Sequence, residues 1–275
     1  MANAPRRLRG LLLLGLLLAT VLPLPASAET PDPCQVTGYQ AGGRLLSARL
    51  VDPEETVTGT VDATGCDIGV YFSSGSTGAV ADAEIYGATW YGIVGHGADL
   101  TIRDSTIHDI GSKPFDGMQY GVAILVRKGP DGTLPSATIQ RNHLSRYQKG
   151  GMALFDGDFQ VTGNTVDGLG PVAYIAQTGI QLTAGATGTL VNNTITGHWY
   201  NGDDWSSTGI LLWSSGGVKV TNNRLAENQV GIYLVDVPGA KLTSNRITGS
   251  GGDAEGDWSI FLWESDAKLH ANKVE

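Results

Sequence analysis

The sequence predicts an all-β protein, a single-stranded right-handed parallel β-helix (solenoid) of about nine coils, on two observations. One phrase recurs nine times between Val57 and the C-terminus: a β-rich stretch, an Asn or small residue, an apolar residue, a turn, then Gly-apolar-x-apolar. Self-similarity at such a period marks a solenoid. The strands between the turns alternate β-branched and polar residues, with no helical apolar stripe and with 39 glycines in the chain, as a stack of short parallel strands requires.

The coils lie over one another phrase by phrase. Val161 to Val166 leads to Gly179 to Leu182, Leu190 to Ile195 to Gly209 to Leu212, and Val220 to Leu225 to Gly231 to Leu234. Leu242 to Ile247 leads to Ser259 to Leu262, and His270 to Val274 opens a further turn. Earlier coils are looser, with Gly69-Val70, Gly92-Ile93, Gly121-Val122 and Gly151-Met152 in the glycine position. The marker positions Ala83, Ser105, Asn142, Asn164, Asn193, Asn223, Asn245 and Asn272 are separated by 22, 37, 22, 29, 30, 22 and 27 residues. The minimum coil is therefore 22 residues, and the excess is insertion. A side-chain period of two sends Ile180, Leu182, Ile210, Leu212, Ile232 and Leu234 inward and Gln181, Leu211 and Tyr233 outward. The asparagines are expected to form a structural ladder, each amide bonding a bend and the next Asn.

Residues 1–28 read as a secretory signal peptide cleaved after Ala28. Arg6, Arg7 and Arg9 precede the apolar run Leu11 to Leu22, Pro23 and Pro25 end it, and Ala26-Ser27-Ala28 supplies small residues for cleavage. The run is short for a membrane span, so none is expected in the mature chain. Residues 29–55 read as an N-terminal leader and cap, and residues 56–275 as the β-helix, one domain sharing one core. Loss of the three signal arginines leaves 15 basic against 27 acidic residues, a formal net charge of −12. Nucleic acid binding needs a basic stripe, and none is visible. Cys34 and Cys66 are the two cysteines; in a chain bound for an oxidising compartment they are expected to bond and clip the leader to the first coil.

Four coils lengthen at one place, between the marker turn and the glycine strand: Gly111 to Tyr120, Gly168 to Gln177, Gly197 to Ser207 and Gly249 to Trp258. Stacked coils put such loops above one another, so they are expected to wall one face over roughly 25 Å, and per-repeat insertions on one face form the binding surface of many solenoids. The wall contains Tyr147, Gln177, Trp199, Tyr200 and Trp205 as candidate substrate-binding residues, since flat rings beside amides and carboxylates suit a sugar chain. Asp203 and Asp204, with His198 in the same loop, are candidate catalytic residues, because paired carboxylates move each other's pKa apart and can divide acid and base roles. Lys149, two coils earlier and about 10 Å away along the axis, is the candidate base. A calcium ion is a candidate cofactor at Asp203, Asp204, Asp253 and Asp257, although no loop shows a specific ligand spacing; the metal ligands stay unknown.

In its Asn and Gly-apolar phrases, Asn164 to Leu182 through Asn245 to Leu262, the chain resembles the right-handed parallel β-helix repeat superfamily, the pectate-lyase-like fold, over about residues 56 to 275. Gly65-Cys66-Asp67-Ile68-Gly69-Val70, Tyr147-Gln148-Lys149-Gly150-Gly151 and Gly170-Pro171 with Tyr174-Ile175-Ala176-Gln177 are similar to phrases in secreted bacterial β-helix proteins of unassigned function. The superfamily includes polysaccharide lyases, glycoside hydrolases, uronan epimerases and non-enzymatic surface proteins. Polygalacturonase-like hydrolases carry Asp-Asp before Gly-His-Gly, whereas here Gly95-His96-Gly97 precedes Asp203-Asp204. Arg246-Ile247 is followed by Thr248 rather than Lys. Mannuronan epimerases carry Tyr-Gly-Phe-Asp-Pro-His, and Tyr91-Gly92-Ile93-Val94-Gly95-His96 has Val94 in place of the acid. The resemblance therefore implies a secreted protein whose partner is polysaccharide, cleaved by lyase or hydrolase chemistry in a loop-walled groove. The alternative is a non-catalytic carbohydrate-binding or cell-envelope structural protein.

Overall fold

The computed structural model describes residues 34–202, 205–249 and 258–275. Among them every regular element is a strand. The chain winds as a parallel β-helix whose coils share three faces. The first face carries nine parallel strands, which number the coils: Arg44–Leu50, Ile68–Phe72, Tyr91–His96, Val122–Arg127, Gly150–Phe155, Thr178–Thr183, Thr208–Trp213, Val230–Val235 and Trp258–Trp263. The second and third faces belong to one sheet folded at a corner, where Thr77–Tyr86 runs continuously from one face to the other. The first parallel strand begins at Arg44, so the solenoid starts before residue 56 and takes in part of the expected leader.

At the corner between the second and third faces lies the asparagine ladder. The backbone N–H and the Nδ2 of Asn142 both donate to Asn164 Oδ1, at 2.9 and 3.0 Å. The same pair of bonds recurs from Asn164 to Asn193, Asn193 to Asn223, Asn223 to Asn245 and Asn245 to Asn272. Each remaining amide hydrogen goes to a main-chain carbonyl, such as Ile102 O for Asn142 and Ile139 O for Asn164. Every amide position is thus satisfied, which a buried polar column requires. Ser105 and Ala83 continue the column with less bonding capacity.

The core is a set of inward columns. Ile180, Leu182, Ile210, Leu212, Ile232 and Leu234 are fully buried and in register. The recurring glycine has a steric cause. A Cβ on Gly92 would stand 2.5 Å from Ala123 O, and one on Gly179 2.5 Å from Gly209 O. In coil 4 the register differs from the sequence reading, because Val122 pairs with Tyr91 and Gly150. Ala123 therefore takes the glycine position, and Gly121 instead turns the corner with a φ of 87°.

Cys34 and Cys66 are bonded, with Cα atoms 5.6 Å apart across 32 residues of sequence. Such a link stabilises mainly by constraining the unfolded chain, by roughly 3 kcal/mol for a loop of this order. The hairpin that follows Cys34 pairs Gln35–Gln40 antiparallel to Arg44–Leu50 and so covers the open edge of the first face. Its Tyr39 ring lies over the outside of that face, 5.6 Å from Tyr91 and 5.0 Å from His96. No helix among the described residues is long and apolar enough to cross a membrane.

Candidate functional site

The described insertions leave the coil at the corner between the third and first faces, as the spacing predicts, while residues 250–257 of the fourth lie outside the described residues. Thr165–Val172 and Thr194–Tyr200 prolong the third face as a two-stranded ribbon, with Gly170, Pro171 and Val172 paired to His198, Trp199 and Tyr200. Glutamines at the base of the corner hold the insertions in place. Gln148 Oε1 accepts from the backbone N–H of Ser112 and of Asp116 at 3.1 Å each, and its Nε2 donates to Asp116 and to Met118 O. Gln177 accepts from Leu169 N–H and donates to Tyr147 O, and Gln229 accepts from Ser207 N–H. A primary amide matches a peptide group in its donors and acceptors, so one side chain replaces the missing strand partner.

That arrangement corrects three expected site residues. Tyr147, Gln177 and His198 are all fully buried, so none can touch a substrate in this structure. Tyr147 Oη lies 2.5 Å from His198 Nε2, and His198 Nδ1 lies 2.8 Å from Asn228 Oδ1. Because Asn228 Nδ2 donates to Ile195 O, its oxygen accepts from His198 Nδ1–H, and Nε2 accepts from the tyrosine hydroxyl. Burial holds His198 down at about 4 and pushes the Tyr147 hydroxyl well up, so both stay neutral. This is an interior polar chain, not an acid–base pair facing a groove. Asn228, its third member, carried no signal in the sequence beyond standing five residues after the ladder residue Asn223.

Lys149 is half-buried and gives its ammonium to Ala176 O at 2.8 Å, tying down the insertion before coil 6; desolvation lowers its pKa. Trp199 and Tyr200 are half-buried on the ribbon, and Trp205 is 75% exposed. Asp203 and Asp204 lie outside the described residues, as do Asp253 and Asp257. Among the described residues no group of three or more His, Cys, Asp or Glu side chains gathers as a metal site would need. Lys149, Trp199, Tyr200 and Trp205 are the expected site residues, among those described, that reach the surface.

A second constellation stands on the outside of the first face. One outward column runs through Leu211, Tyr233 and Phe261, and the next through Trp213, Val235 and Trp263, in coils 7, 8 and 9. Trp213, Trp258 and Trp263 are 51%, 47% and 54% exposed. Phe261 is stacked on Trp258 at 5.3 Å, packs on Tyr233 at 5.0 Å and approaches Trp263 at 6.4 Å. Beside the tryptophan column the chain turns through left-handed residues, and Ser214, Asp236 and Glu264 stand there. Ser214 Oγ donates to Asp236 at 3.1 Å. Flat ring faces thus lie next to hydroxyl and carboxylate groups at a repeat of about 4.8 Å per coil. The period-two rule had already placed Leu211 and Tyr233 outward; their neighbours Trp213, Phe261 and Trp263 follow from the same alternation.

Residues 56–209 match the family described as the right handed beta helix region, and the chain belongs to that family. No curated protein matches the sequence. Among solved structures, the chain is similar to PfbA, a surface adhesin of Streptococcus pneumoniae, with 15% identity and a TM-score of 0.51 over 74% of this chain and 59% of that one. This chain thus spans less than two thirds of the adhesin's length, and at that identity the likeness shows the fold. The enzymatically active domain of tailspike protein 2 of bacteriophage CBA120 matches at 12% identity and a TM-score of 0.48, over 80% of this chain and 39% of that one. A lacto-N-biosidase of family GH136 from Eubacterium ramulus matches at 12% identity and 0.35, over 76% and 51%.

Proposed function

We propose that this is a secreted polysaccharide-binding β-helix whose ligand lies on the outer side of the first face, along coils 7 to 9. The observation that carries this reading is the in-register platform of Trp213, Trp258, Trp263, Tyr233 and Phe261, exposed beside the polar groups of Ser214, Asp236 and Glu264. Trp213 and Trp263 stand two coils apart in one column, about 10 Å, so successive sugar rings can stack while their hydroxyls meet the corner. An aromatic patch of this size left open marks an interaction surface. Export is supported by the Cys34–Cys66 bond, which persists in oxidising compartments, and the segment 1–28 supplies the signal.

Binding is preferred over cleavage because two of the expected catalytic and contact groups, His198 and Tyr147, are buried and committed to each other. Lyase or hydrolase chemistry would rest on Asp203 and Asp204 with Lys149 as base. Titration of the exported protein against a polysaccharide panel tests the reading, with release of reducing ends and of unsaturated uronates followed in the same samples. Trp213→Ala and Trp263→Ala should each weaken binding about tenfold, the worth of one stacked ring, with the melting temperature unchanged. Undiminished binding by the double variant would refute the platform. Cleavage abolished by Asp203→Asn or Asp204→Asn would restore the enzyme reading.

A further inference from the structure

The tryptophan column does not stop at coil 7. Followed back along the first face it runs through Thr183 and Phe155 to Arg127 and His96, since Trp213 pairs with Thr183, Thr183 with Phe155, and Arg127 with His96. Leu154 pairs with Val126, which sets Phe155 next after Arg127. At that end of the column lies an open pocket of about 470 Å³, lined by Tyr39, His96, Arg127, Lys128 and the backbone of Gly38 and Gly129 among others. Its size suits a small-molecule ligand.

The groups that line it are donors. Among the described residues Arg127 has only neutral partners: it donates to Tyr39 Oη at 3.3 Å and stands 5.7 Å over the Phe155 ring. Arg49, Arg103, Arg141, Arg146 and Arg246, by contrast, are each ion-paired to a carboxylate. His96 Nδ1 is hydrogen-bonded to Tyr71 Oη at 3.1 Å. Burial and the neighbouring Arg127 lower the pKa of His96 and keep it neutral, against the smaller opposing pull of Asp131. The two nearby acids are occupied. Asp131 accepts from Ser74 Oγ at 2.6 Å and Thr133 N–H at 3.1 Å, and Asp156 lies 3.5 Å from Lys128 Nζ. The lining thus offers a guanidinium fork with no carboxylate partner among the described residues, beside an ammonium shared with Asp156, and such a fork matches a bidentate oxyanion.

We infer that this pocket takes the carboxylate or sulfate of an acidic sugar residue, in a chain whose uncharged residues lie on the aromatic platform. This rests on the proposed polysaccharide binding and narrows its substrate class. Arg127 and Trp213 share one column three coils apart, about 14 Å, so one extended chain can engage both. Asp236 and Glu264 line the corner beside the platform in coils 8 and 9, and their charge opposes a carboxylate there. A heteropolysaccharide in which neutral residues separate the acidic ones fits this pattern, and a homopolymer of uronic acid does not.

Calorimetric titration of the exported protein at low salt decides it, with hyaluronan as the alternating acidic polymer, polygalacturonate as the uniform one, dextran as the neutral one and glucuronate as the single sugar. Hyaluronan should bind more tightly than dextran or polygalacturonate. Arg127→Gln should weaken hyaluronan and glucuronate about tenfold or more and leave dextran unchanged, and rising salt should mimic the substitution. Because Arg127 is exposed, the variant should melt as the parent does. If Trp213→Ala weakens every polymer while Arg127→Gln changes nothing, the acidic-group inference falls and polysaccharide binding stands. If Arg127→Gln weakens glucuronate while Trp213→Ala leaves every polymer unchanged, the platform falls and the pocket stands. No binding of any probe overturns both.

Discussion

The outer side of the first face is two different surfaces on one scaffold. In coils 2 to 4 the outward residues Ile68, Tyr71, Val94, Val122 and Leu125 are buried together with Tyr39 and Leu45 from the N-terminal hairpin. In coils 7 to 9 the equivalent column reads Leu211, Tyr233 and Phe261, half-exposed, with three open tryptophans around it. Inside, apolar columns run beneath both, while the ladder position is Ala83, Ser105 and Asn142 under the first half and Asn223, Asn245 and Asn272 under the second. The lesson is that apolar character on the outside of a coil has two causes, which only the cover distinguishes. Where a hairpin lies on the column the residues are core, and where nothing among the described residues lies on it they are available to a ligand.

The largest expected effect comes from placing one charge in each half of the same column. Val94 is fully buried between Tyr71 and Leu125, near the Tyr39 ring, so Val94→Asp buries an unpaired carboxylate and should cost about 3–5 kcal/mol. Leu211, four coils along, should tolerate Asp within about 1 kcal/mol. Urea midpoints of the two variants measure the difference, and equal losses would break the comparison.

A smaller effect follows from the buried chain Tyr147, His198 and Asn228, at the corner between the third and first faces in the middle coils. His198 is held down at about 4 by burial, against about 6.5 in the unfolded chain. Between those values the unfolded chain binds a proton that the folded one refuses. Stability therefore stays constant above about pH 6.5 and falls as pH drops toward 4, by about 3 kcal/mol in total. Asp104 and Asp109, held at about 2 chiefly by hydrogen bonds from Arg141 and Arg146, titrate below that window. Urea unfolding at pH 7 and pH 4.5 should show the loss, and His198→Gln should remove most of it. A slope unchanged in that variant would mean that the proton acts elsewhere.

The fold was legible in the sequence because its determinants repeat. Asn164, Asn193 and Asn223 each do one job in one place, so a marker position read on one coil held for the rest. The disulfide was legible because two cysteines have one pairing. The candidate site was not, since insertions do not repeat. Tyr147 and His198 read as surface residues because polar rings beside an insertion usually are; instead each bonds the other, and His198 bonds Asn228 on another coil. The two-residue error at Gly121 has the same origin, a unique corner shaped by Gln148. Trp213 and Trp263 are legible by the same alternation, each two residues beyond the outward Leu211 and Phe261 on its strand.

Hydroxyl-radical footprinting of the exported protein, with and without a saturating polysaccharide that it binds, tests the central claim most directly, because it reads contact at each ring without altering the chain. Trp213, Trp258 and Trp263 should be protected on binding, while Trp199, Trp205 and Tyr174 on the inserted segments keep their reactivity. Protection of the inserted residues with Trp213 and Trp263 unchanged would place the ligand on the loop wall and contradict the account.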